Sequence, residues 1–263
     1  SRPIVFSAEF PGALAPEAGL TLVGVGPGDP QLLTVAAVRA IGAAAVVAYP
    51  VARLEAEGMA AQIAAPWMGP EQRRLPLLFP MVSEAEPRRQ AWHAAAAALA
   101  AEVAAGQAVV LLCEGDASLY ASASYALLAL AERHPSCPVA VIPGITAVAA
   151  AAAAASSQGL PWPLALQQDA LLIRPTPDDP AQLEALLAEA AAAATVLALL
   201  KLGHRWAWVR PLLAQRNLLA GALFAQRVGW PDQLLAPAAE VPADEQPYFS
   251  LLLIRQSWPE VLP

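Results

Sequence analysis

The chain has 263 residues and a formal net charge of −7 at pH 7, with 57% hydrophobic and 14% charged residues. An acidic chain is a poor general ligand for nucleic acids or anionic membranes, because both attract an excess of positive charge. The longest stretch without charged residues or histidine, 135–168, is interrupted by prolines and glycines, so no membrane-spanning helix is expected. The composition therefore predicts neither a nucleic-acid partner nor a membrane partner.

The first 19 residues and the cysteines indicate the compartment. Residues 1–19 lack the basic start and continuous apolar core of a secretory signal, and we expect an N-terminal arm there. Cys113 and Cys137 are too few and too far apart for a disulfide framework or a metal-site spacing. The three histidines are isolated in sequence, so no metal site is expected. A reducing cytoplasm fits this pattern best.

Alternating apolar runs and helical periodicities follow in chain order. In the first part of the chain they predict strands at 20–25, 46–49, 108–113 and 139–142, and helices at 32–41, 91–105, 118–133 and from 144 to 155. Pro50 is expected to stop the second strand, and Gly106 to cap the second helix. This alternation predicts a largely parallel sheet with crossover helices.

A segment rich in Ser, Gln, Gly and Pro, 156–168, is the candidate linker. Beyond it, the pattern predicts strands at 170–173, 195–200, 221–226 and 247–255, the last in a mixed sheet, and helices at 181–194 and 205–215. The expected fold class is therefore α/β. Two α/β domains, 20–160 and 161–263, are predicted with a cleft between them.

The sharpest local feature is the turn Gly24-Val25-Gly26-Pro27-Gly28-Asp29 after the first strand. A dinucleotide fingerprint also begins G-x-G, but Asp29 would repel a pyrophosphate and Pro27 removes a possible amide donor. The second strand ends in Tyr49-Pro50, without the acidic residue that holds a ribose hydroxyl. S-adenosylmethionine (SAM) fits better, because it has no phosphate and carries a positive sulfonium. A plain strand–helix connection is the alternative for any one such turn.

Three motifs together resemble the tetrapyrrole (corrin/porphyrin) methylases. The first is 24–30 (GVGPGDP) with 32–34 (LLT), the second is 115–120 (GDASLY), and the third is 143–147 (PGITA). Their order and spacing match, and the resemblance covers about residues 20–255. It implies two α/β domains of the tetrapyrrole methylase type, with the active-site cleft between them, in a homodimer that binds SAM.

The resemblance also implies site residues. By motif, the expected cofactor-binding residues are Pro27, Gly115, Asp116, Leu119, Thr146, Ala147, Leu202 and Val228, of which the last two align less clearly. One departure from the family pattern is Ala117, where proline is usual after the aspartate. Another is Pro50, where the uroporphyrinogen methylases carry an acidic residue.

Shorter motifs narrow the resemblance to the branch that methylates precorrin-2, or cobalt-factor II, at C(20) in cobalamin biosynthesis. These are Tyr49-Pro50, Phe79-Pro80-Met81, Lys201-Leu202-Gly203 and Pro247-Tyr248-Phe249-Ser250. Three alternatives stay open: methylation at C(11) or C(17), a non-catalytic protein that binds SAM or a tetrapyrrole, and a dinucleotide oxidoreductase.

The implied reaction is an in-line attack of a ring carbon on the methyl group of SAM, which depends on alignment and exclusion of water. No triad is present, and no catalytic residue can be assigned from the sequence. Tyr120 and Tyr248 are only candidates for accepting the proton that leaves. An acidic chain needs a local basic lining for the tetrapyrrole carboxylates, and we expect Lys201 and Arg205 to be substrate-binding.

Overall fold

The computed structural model describes residues 18–263, so the expected arm at 1–19 lies almost wholly outside the described part of the chain. The described residues form two five-stranded sheets. The chain divides into two compact units, the first ending at Thr146 and the second beginning at Ala147. The α/β fold class expected from the sequence is confirmed.

The first unit alternates strands and helices. Its elements are β1 (Gly19–Gly24), α1 (Val35–Ala43), β2 (Val46–Val51), α2 (Met59–Ala64), β3 (Arg73–Leu78), α3 (Ala85–Ala104), β4 (Ala108–Cys113), α4 (Ala123–Arg133) and β5 (Val139–Ile142). The strand order is β3-β2-β4-β1-β5, and every neighbouring pair is parallel. Helices cover both faces, so the central strands β1 and β4 are apolar on both sides.

The second unit contains a mixed sheet. Its elements are α5 (Ala147–Ser157), β6 (Ala170–Pro175), α6 (Pro180–Ala192), β7 (Thr195–Leu200), α7 (Trp206–Gln215), β8 (Ala222–Gln226), β9 (Leu234–Pro237) and β10 (Ser250–Ile254). The strand order is β6-β7-β10-β8-β9. β6 and β7 are parallel, whereas β10 is antiparallel to both of its neighbours, as the mixed-sheet prediction required.

Several predicted boundaries were wrong. β2 continues through Pro50 to Val51 because beyond Ala48 it pairs only with β3, so a missing amide on the other side breaks no hydrogen bond. The fourth helix begins at Ala123 instead of 118, since Tyr120 has a left-handed backbone with φ of 52°. The strands β3 and β9 and the helix α2 were not predicted.

The helix α5 groups with the second compact unit, whereas the sequence analysis placed it in the first domain. It contacts β9 of that unit, and it continues through Ser157 into the segment expected to be the linker. Among residues 18–263, no helix is both long and apolar enough to cross a membrane.

Candidate functional site

Three strand ends of the first unit carry the glycine-rich motifs. β1 lies between β4 and β5, with Gly24 in register with Cys113 and Val23 in register with Ile142. Because the strands are parallel, their carboxyl ends lie side by side at one edge of the sheet. This edge is where open α/β sheets bind ligands.

Glycine allows the three turns to touch through their backbones. A Cβ on Gly144 would lie 2.1 Å from the Gly115 oxygen, and one on Gly24 would lie 2.7 Å from the same oxygen. Gly26 and Gly115 also exchange two backbone hydrogen bonds of 3.1 and 2.8 Å. No side chain larger than hydrogen fits at Gly24 or Gly144 without moving the backbone.

The Asp116 carboxylate connects two of these turns. Its Oδ1 accepts from the Gly144 amide at 2.8 Å, and its Oδ2 accepts from the Ser118 amide at 2.9 Å and from the Ser118 hydroxyl at 2.5 Å. Burial opposes ionisation, but these hydrogen bonds outweigh it and lower the pKa of Asp116. The carboxylate is therefore ionised and rigidly held.

Ala117 does not open the second turn, although proline is usual there. Its side chain is buried, its carbonyl accepts from the Ser124 hydroxyl at 2.8 Å, and the Asp116–Ser118 hydrogen bonds close the turn around it. The turn retains a fixed geometry without proline.

The first turn has no vacant anion site at the helix start. The Asp29 carboxylate accepts from the Gln31 amide at 2.8 Å and caps the short 3₁₀ turn Pro30–Leu32. The protein's own carboxylate thus occupies the place where a pyrophosphate would bind. This geometry supports the argument from sequence against a dinucleotide.

Cys113 and Glu114 lie at the end of β4. Desolvation raises the pKa of the Cys113 thiol to about 12, so this residue is no nucleophile near neutral pH. Desolvation also raises the pKa of Glu114, a carboxylate that the sequence analysis did not assign.

The remaining predicted residues of the first unit lie on the same turns. Pro27 and Asp116 are half-buried, as are Leu119 and Thr146. The structure therefore brings together the five cofactor residues that the motifs predict in this unit.

In the second unit, Leu202 and Val228 follow β7 and β8. The Leu202 side chain is fully buried in the core, its amide donates to the Ser250 carbonyl at 3.1 Å, and its carbonyl accepts from Arg205. Val228 is also buried, but its amide has no hydrogen-bond acceptor among residues 18–263. Of the two, Val228 has the backbone donor to offer to a ligand. Ala147, the first residue of α5, is half-buried.

Lys201 and Arg205 lie close together, and Arg205 already has a carboxylate partner. Lys201 is exposed and has a left-handed backbone with φ of 55°. The Arg205 guanidinium is paired with Asp178 and donates to the Lys201 carbonyl at 3.1 Å. A substrate carboxylate would have to compete with Asp178 for Arg205.

Ser250 is a structural residue of this region that sequence reasoning did not single out by itself. Its hydroxyl accepts from the Gly203 amide at 3.0 Å and donates to the Pro247 carbonyl at 2.7 Å. In the sequence, Ser250 is marked only as the last residue of the motif Pro247-Tyr248-Phe249-Ser250. Across residues 18–263 no group of His, Cys, Asp and Glu side chains could hold a metal ion.

A comparison with models of protein families shows which family the chain belongs to. The model of the Tetrapyrrole (Corrin/Porphyrin) Methylases matches residues 19–241, which include all three glycine-rich motifs. The chain belongs to the tetrapyrrole methylases.

Individual tetrapyrrole methylases resemble the chain over nearly its whole length. A precorrin-2 C(20)-methyltransferase of Sinorhizobium is 36% identical over 240 residues, which is 88% of this chain and 93% of that protein. A cobalt-precorrin-2 C(20)-methyltransferase of Salmonella typhimurium is 32% identical, covering 91% of this chain and 97% of that protein.

A solved tetrapyrrole methylase has the same fold. The uroporphyrin-III C-methyltransferase of Thermus thermophilus, crystallised with S-adenosylhomocysteine, has a TM-score of 0.57 and 23% identity. The match covers 90% of this chain and 97% of that one.

Proposed function

We propose that the chain is a SAM-dependent methyltransferase that methylates precorrin-2, or its cobalt form, at C(20) in cobalamin biosynthesis. The observation that carries the proposal is the meeting of three glycine-rich strand ends in a chain of this family. The names of two relatives above 30% identity, each a C(20)-methyltransferase, favour this carbon over C(11) and C(17).

The residues at the strand ends fit SAM. Close contact between Gly24, Gly115 and Gly144 exposes backbone groups instead of side chains, and backbone groups can hydrogen-bond to an adenosine or an amino acid. The Asp116 and Asp29 carboxylates are compatible with a sulfonium but would repel a phosphate. We propose Pro27, Gly115, Asp116, Leu119 and Thr146 as contacts from the first unit, and Ala147, Leu202 and Val228 from the second.

The bound cofactor would supply an electrophilic methyl group, and its leaving group is a neutral thioether that needs no acid. The chain's own contribution is to hold the reactants in line and to exclude water. A rigid site serves this purpose, and the Asp116–Gly144 hydrogen bond and the glycine contacts make the strand ends rigid. Loss of the ring proton requires an acceptor, for which no residue is assigned.

The non-catalytic alternative rested on Ala117. Because the second turn is closed by Asp116, Ser118 and Ser124, this substitution gives no reason to expect a weakened cofactor site. By the family resemblance we also propose that the enzyme is cytoplasmic and a homodimer. Light scattering of the purified protein would test the dimer.

The proposal is tested by incubating the protein with methyl-labelled SAM and precorrin-2, with and without cobalt, and assigning the labelled carbon by mass and NMR. Label at C(20) is expected. Label at C(11) or C(17) would replace the proposed carbon, and binding of SAM without transfer to either form would contradict an enzymatic role.

A further inference from the structure

Two turns at one edge of the second sheet repeat the same local structure. Lys201-Leu202-Gly203 follows β7 and Arg227-Val228-Gly229 follows β8. In each turn the cation has a positive φ, 55° for Lys201 and 48° for Arg227, and so does the glycine two residues later, at 50° and 84°. The middle residue is buried in both turns. A left-handed lysine or arginine is uncommon, and such residues cluster at functional sites.

The start of β10 separates the two turns. β10 lies between β7 and β8 in the sheet and runs antiparallel to both, so its first residues meet the carboxyl ends of both neighbours. The Leu202 amide donates to the Ser250 carbonyl at 3.1 Å, and the Arg227 amide donates to the Phe249 carbonyl at 2.9 Å. With strands about 4.8 Å apart, the two cation-bearing turns are about 10 Å apart.

An exposed aromatic pair lies between these turns. Tyr248 is 50% and Phe249 is 46% exposed, and their rings meet edge to face with centroids 5.3 Å apart. The backbone beneath them is fixed, because the Tyr248 Cα lies against Gly203 and the Pro247 carbonyl accepts from the Ser250 hydroxyl. Two large rings that are both exposed and held in place form a preorganised apolar surface.

The charges on either side complement an anionic ligand. Lys201 is exposed. The Arg227 guanidinium donates through Nε to Asp232 at 2.8 Å and lies over the Trp230 ring at 5.0 Å. These contacts orient the guanidinium and leave its two terminal NH₂ groups without a hydrogen-bond partner among residues 18–263. A guanidinium in this state can still bind a carboxylate in a bidentate manner.

We infer that this edge is the substrate-recognition surface. The conjugated face of the tetrapyrrole lies against Tyr248 and Phe249, and two of its peripheral carboxylates bind Lys201 on one side and Arg227 on the other. The inference rests on the proposed function for the identity of the ring. It assigns to Arg227 and the aromatic pair a role in specificity, and it gives a function to the cation that each turn places in a left-handed backbone.

The test measures tetrapyrrole binding separately from catalysis. The probe is uroporphyrin III, a stable tetrapyrrole with carboxylate side chains, and its binding is measured by fluorescence. S-adenosylhomocysteine binding is measured by calorimetry. The KM for precorrin-2 is measured for each variant that is active. Arg227→Gln should weaken uroporphyrin binding and raise this KM roughly tenfold to hundredfold, with S-adenosylhomocysteine affinity within twofold of wild type. In the double variant Tyr248→Ala/Phe249→Ala, the affinity for uroporphyrin should fall by about tenfold or more.

Two matched variants separate recognition from structure. Arg216→Gln removes an arginine that is also in an ion pair, with Glu184, but lies at the end of α7, and it should leave tetrapyrrole binding unchanged. Asp232→Asn removes the partner of Arg227 and should retain tetrapyrrole binding, because the guanidinium remains.

Unchanged tetrapyrrole binding in both Arg227→Gln and the aromatic variant would overturn the inference. Equal losses for both ligands, or a loss in Asp232→Asn as large as in Arg227→Gln, would also overturn it, because each outcome indicates a structural role. If the wild type binds uroporphyrin through these residues but does not methylate precorrin-2 at C(20), the inference stands and the proposed function fails.

Discussion

Asp116 has a structural role beside the cofactor-binding role that we propose for it. The sequence motif assigns it to the cofactor, yet its two oxygens already accept three hydrogen bonds within the protein. One of these bonds joins the second motif to the third across 28 residues of sequence. Any contact with SAM therefore adds to an arrangement that the carboxylate itself helps to build.

Asp116→Ala should consequently affect stability as well as binding. Loss of the bond to the Gly144 amide leaves a half-buried donor unpaired, which costs about 1–2 kcal/mol in the free energy of unfolding. S-adenosylhomocysteine affinity should fall by about tenfold or more, because the third motif is no longer fixed. Urea unfolding and calorimetry measure the two effects.

Asp116→Asn is the matched control, since its Oδ1 can still accept from the Gly144 amide. It should recover the part of the lost stability that comes from the Gly144 bond, but not the part that comes from Ser118, because an amide nitrogen cannot accept from the Ser118 amide. If Asp116→Ala lost affinity at unchanged stability, the residue would act through the ligand alone.

The positions of the candidate site residues were predictable from the sequence to the extent that they lie in short contiguous motifs. Asp116 and Gly115 follow an apolar run, and this placed them at a strand end. The pairing of Asp116 with Gly144, and the flanking of Tyr248 and Phe249 by two cations, could not be predicted, because both depend on which strands are neighbours. Strand order is a property of the assembled sheet.

At the level of elements, the strands that sequence reasoning missed have a common feature. β3 and β9 are both edge strands, and each contains a proline, Pro76 and Pro237. An edge strand tolerates proline because one side of it makes no ladder hydrogen bonds. Where a strand is paired on both sides the missing amide would break a hydrogen bond, and for this reason Pro50 was expected to end β2.

The contact between strand ends predicts a steric effect at Gly144. In Gly144→Ala the new Cβ would approach the Gly115 oxygen to 2.1 Å, so the β4 and β5 ends must separate. We expect a loss of about 3 kcal/mol in unfolding free energy and loss of S-adenosylhomocysteine binding.

Gly42→Ala is the control, because Gly42 lies in α1 with nothing within 4 Å of the added carbon. Helix propensity should make this variant more stable by about 0.5–1 kcal/mol. A Gly144→Ala protein with normal stability and ligand affinity would show that the strand ends can separate without cost. Chemical denaturation gives the unfolding free energies of both variants, and calorimetry gives their S-adenosylhomocysteine affinities.

The end of β10 is tied to the segment before β6 by a buried ion pair. Arg255 Nη1 lies 2.7 Å from Asp169 Oδ2, with the side chains 2% and 6% exposed, and Arg255 also stacks on Trp258. The hydrogen bond to Arg255, with that to the Leu166 amide, lowers the pKa of Asp169. Arg255 is thus the neutralising partner of a carboxylate that is ionised in the folded chain.

This pair predicts a specific pH dependence. A carboxylate with a lowered pKa in the folded state stabilises the protein fully above its unfolded pKa of about 3.9, and this stabilisation is lost as the pH falls through the folded value. The difference in unfolding free energy between wild type and Asp169→Asn should therefore be constant from pH 7 to about pH 5 and shrink below about pH 4. The double variant Asp169→Asn/Arg255→Met, which leaves no unpaired charge, should be more stable than Asp169→Asn alone. A difference that grows on acidification would contradict the assignment.

At the scale of the whole molecule, the net charge is negative, whereas one edge of the second sheet carries two cations. The chain is acidic overall, yet Lys201 and Arg227 lie at the same edge of one sheet. Composition excludes general polyanion binding but does not predict where a few cations converge. The fold decides this, because both residues follow strands that are parallel to each other on either side of β10.

The preference for SAM over a dinucleotide can be tested by the effect of each ligand on the stability of the intact protein. S-adenosylhomocysteine at a hundred times its dissociation constant should stabilise the folded state by about 2.7 kcal/mol. For a chain of this size, that corresponds to a rise in Tm of roughly 5–10 °C. NADH at the same concentration should give no rise, because Asp29 already accepts from the first helical amide and β2 ends at Val51 without the acidic residue that would bind a ribose. Thermal unfolding with each ligand, and with both together, distinguishes the possibilities. A rise with NADH that S-adenosylhomocysteine does not share would mean that the glycine-rich turn binds a diphosphate after all, and the assignment of SAM would have to be withdrawn.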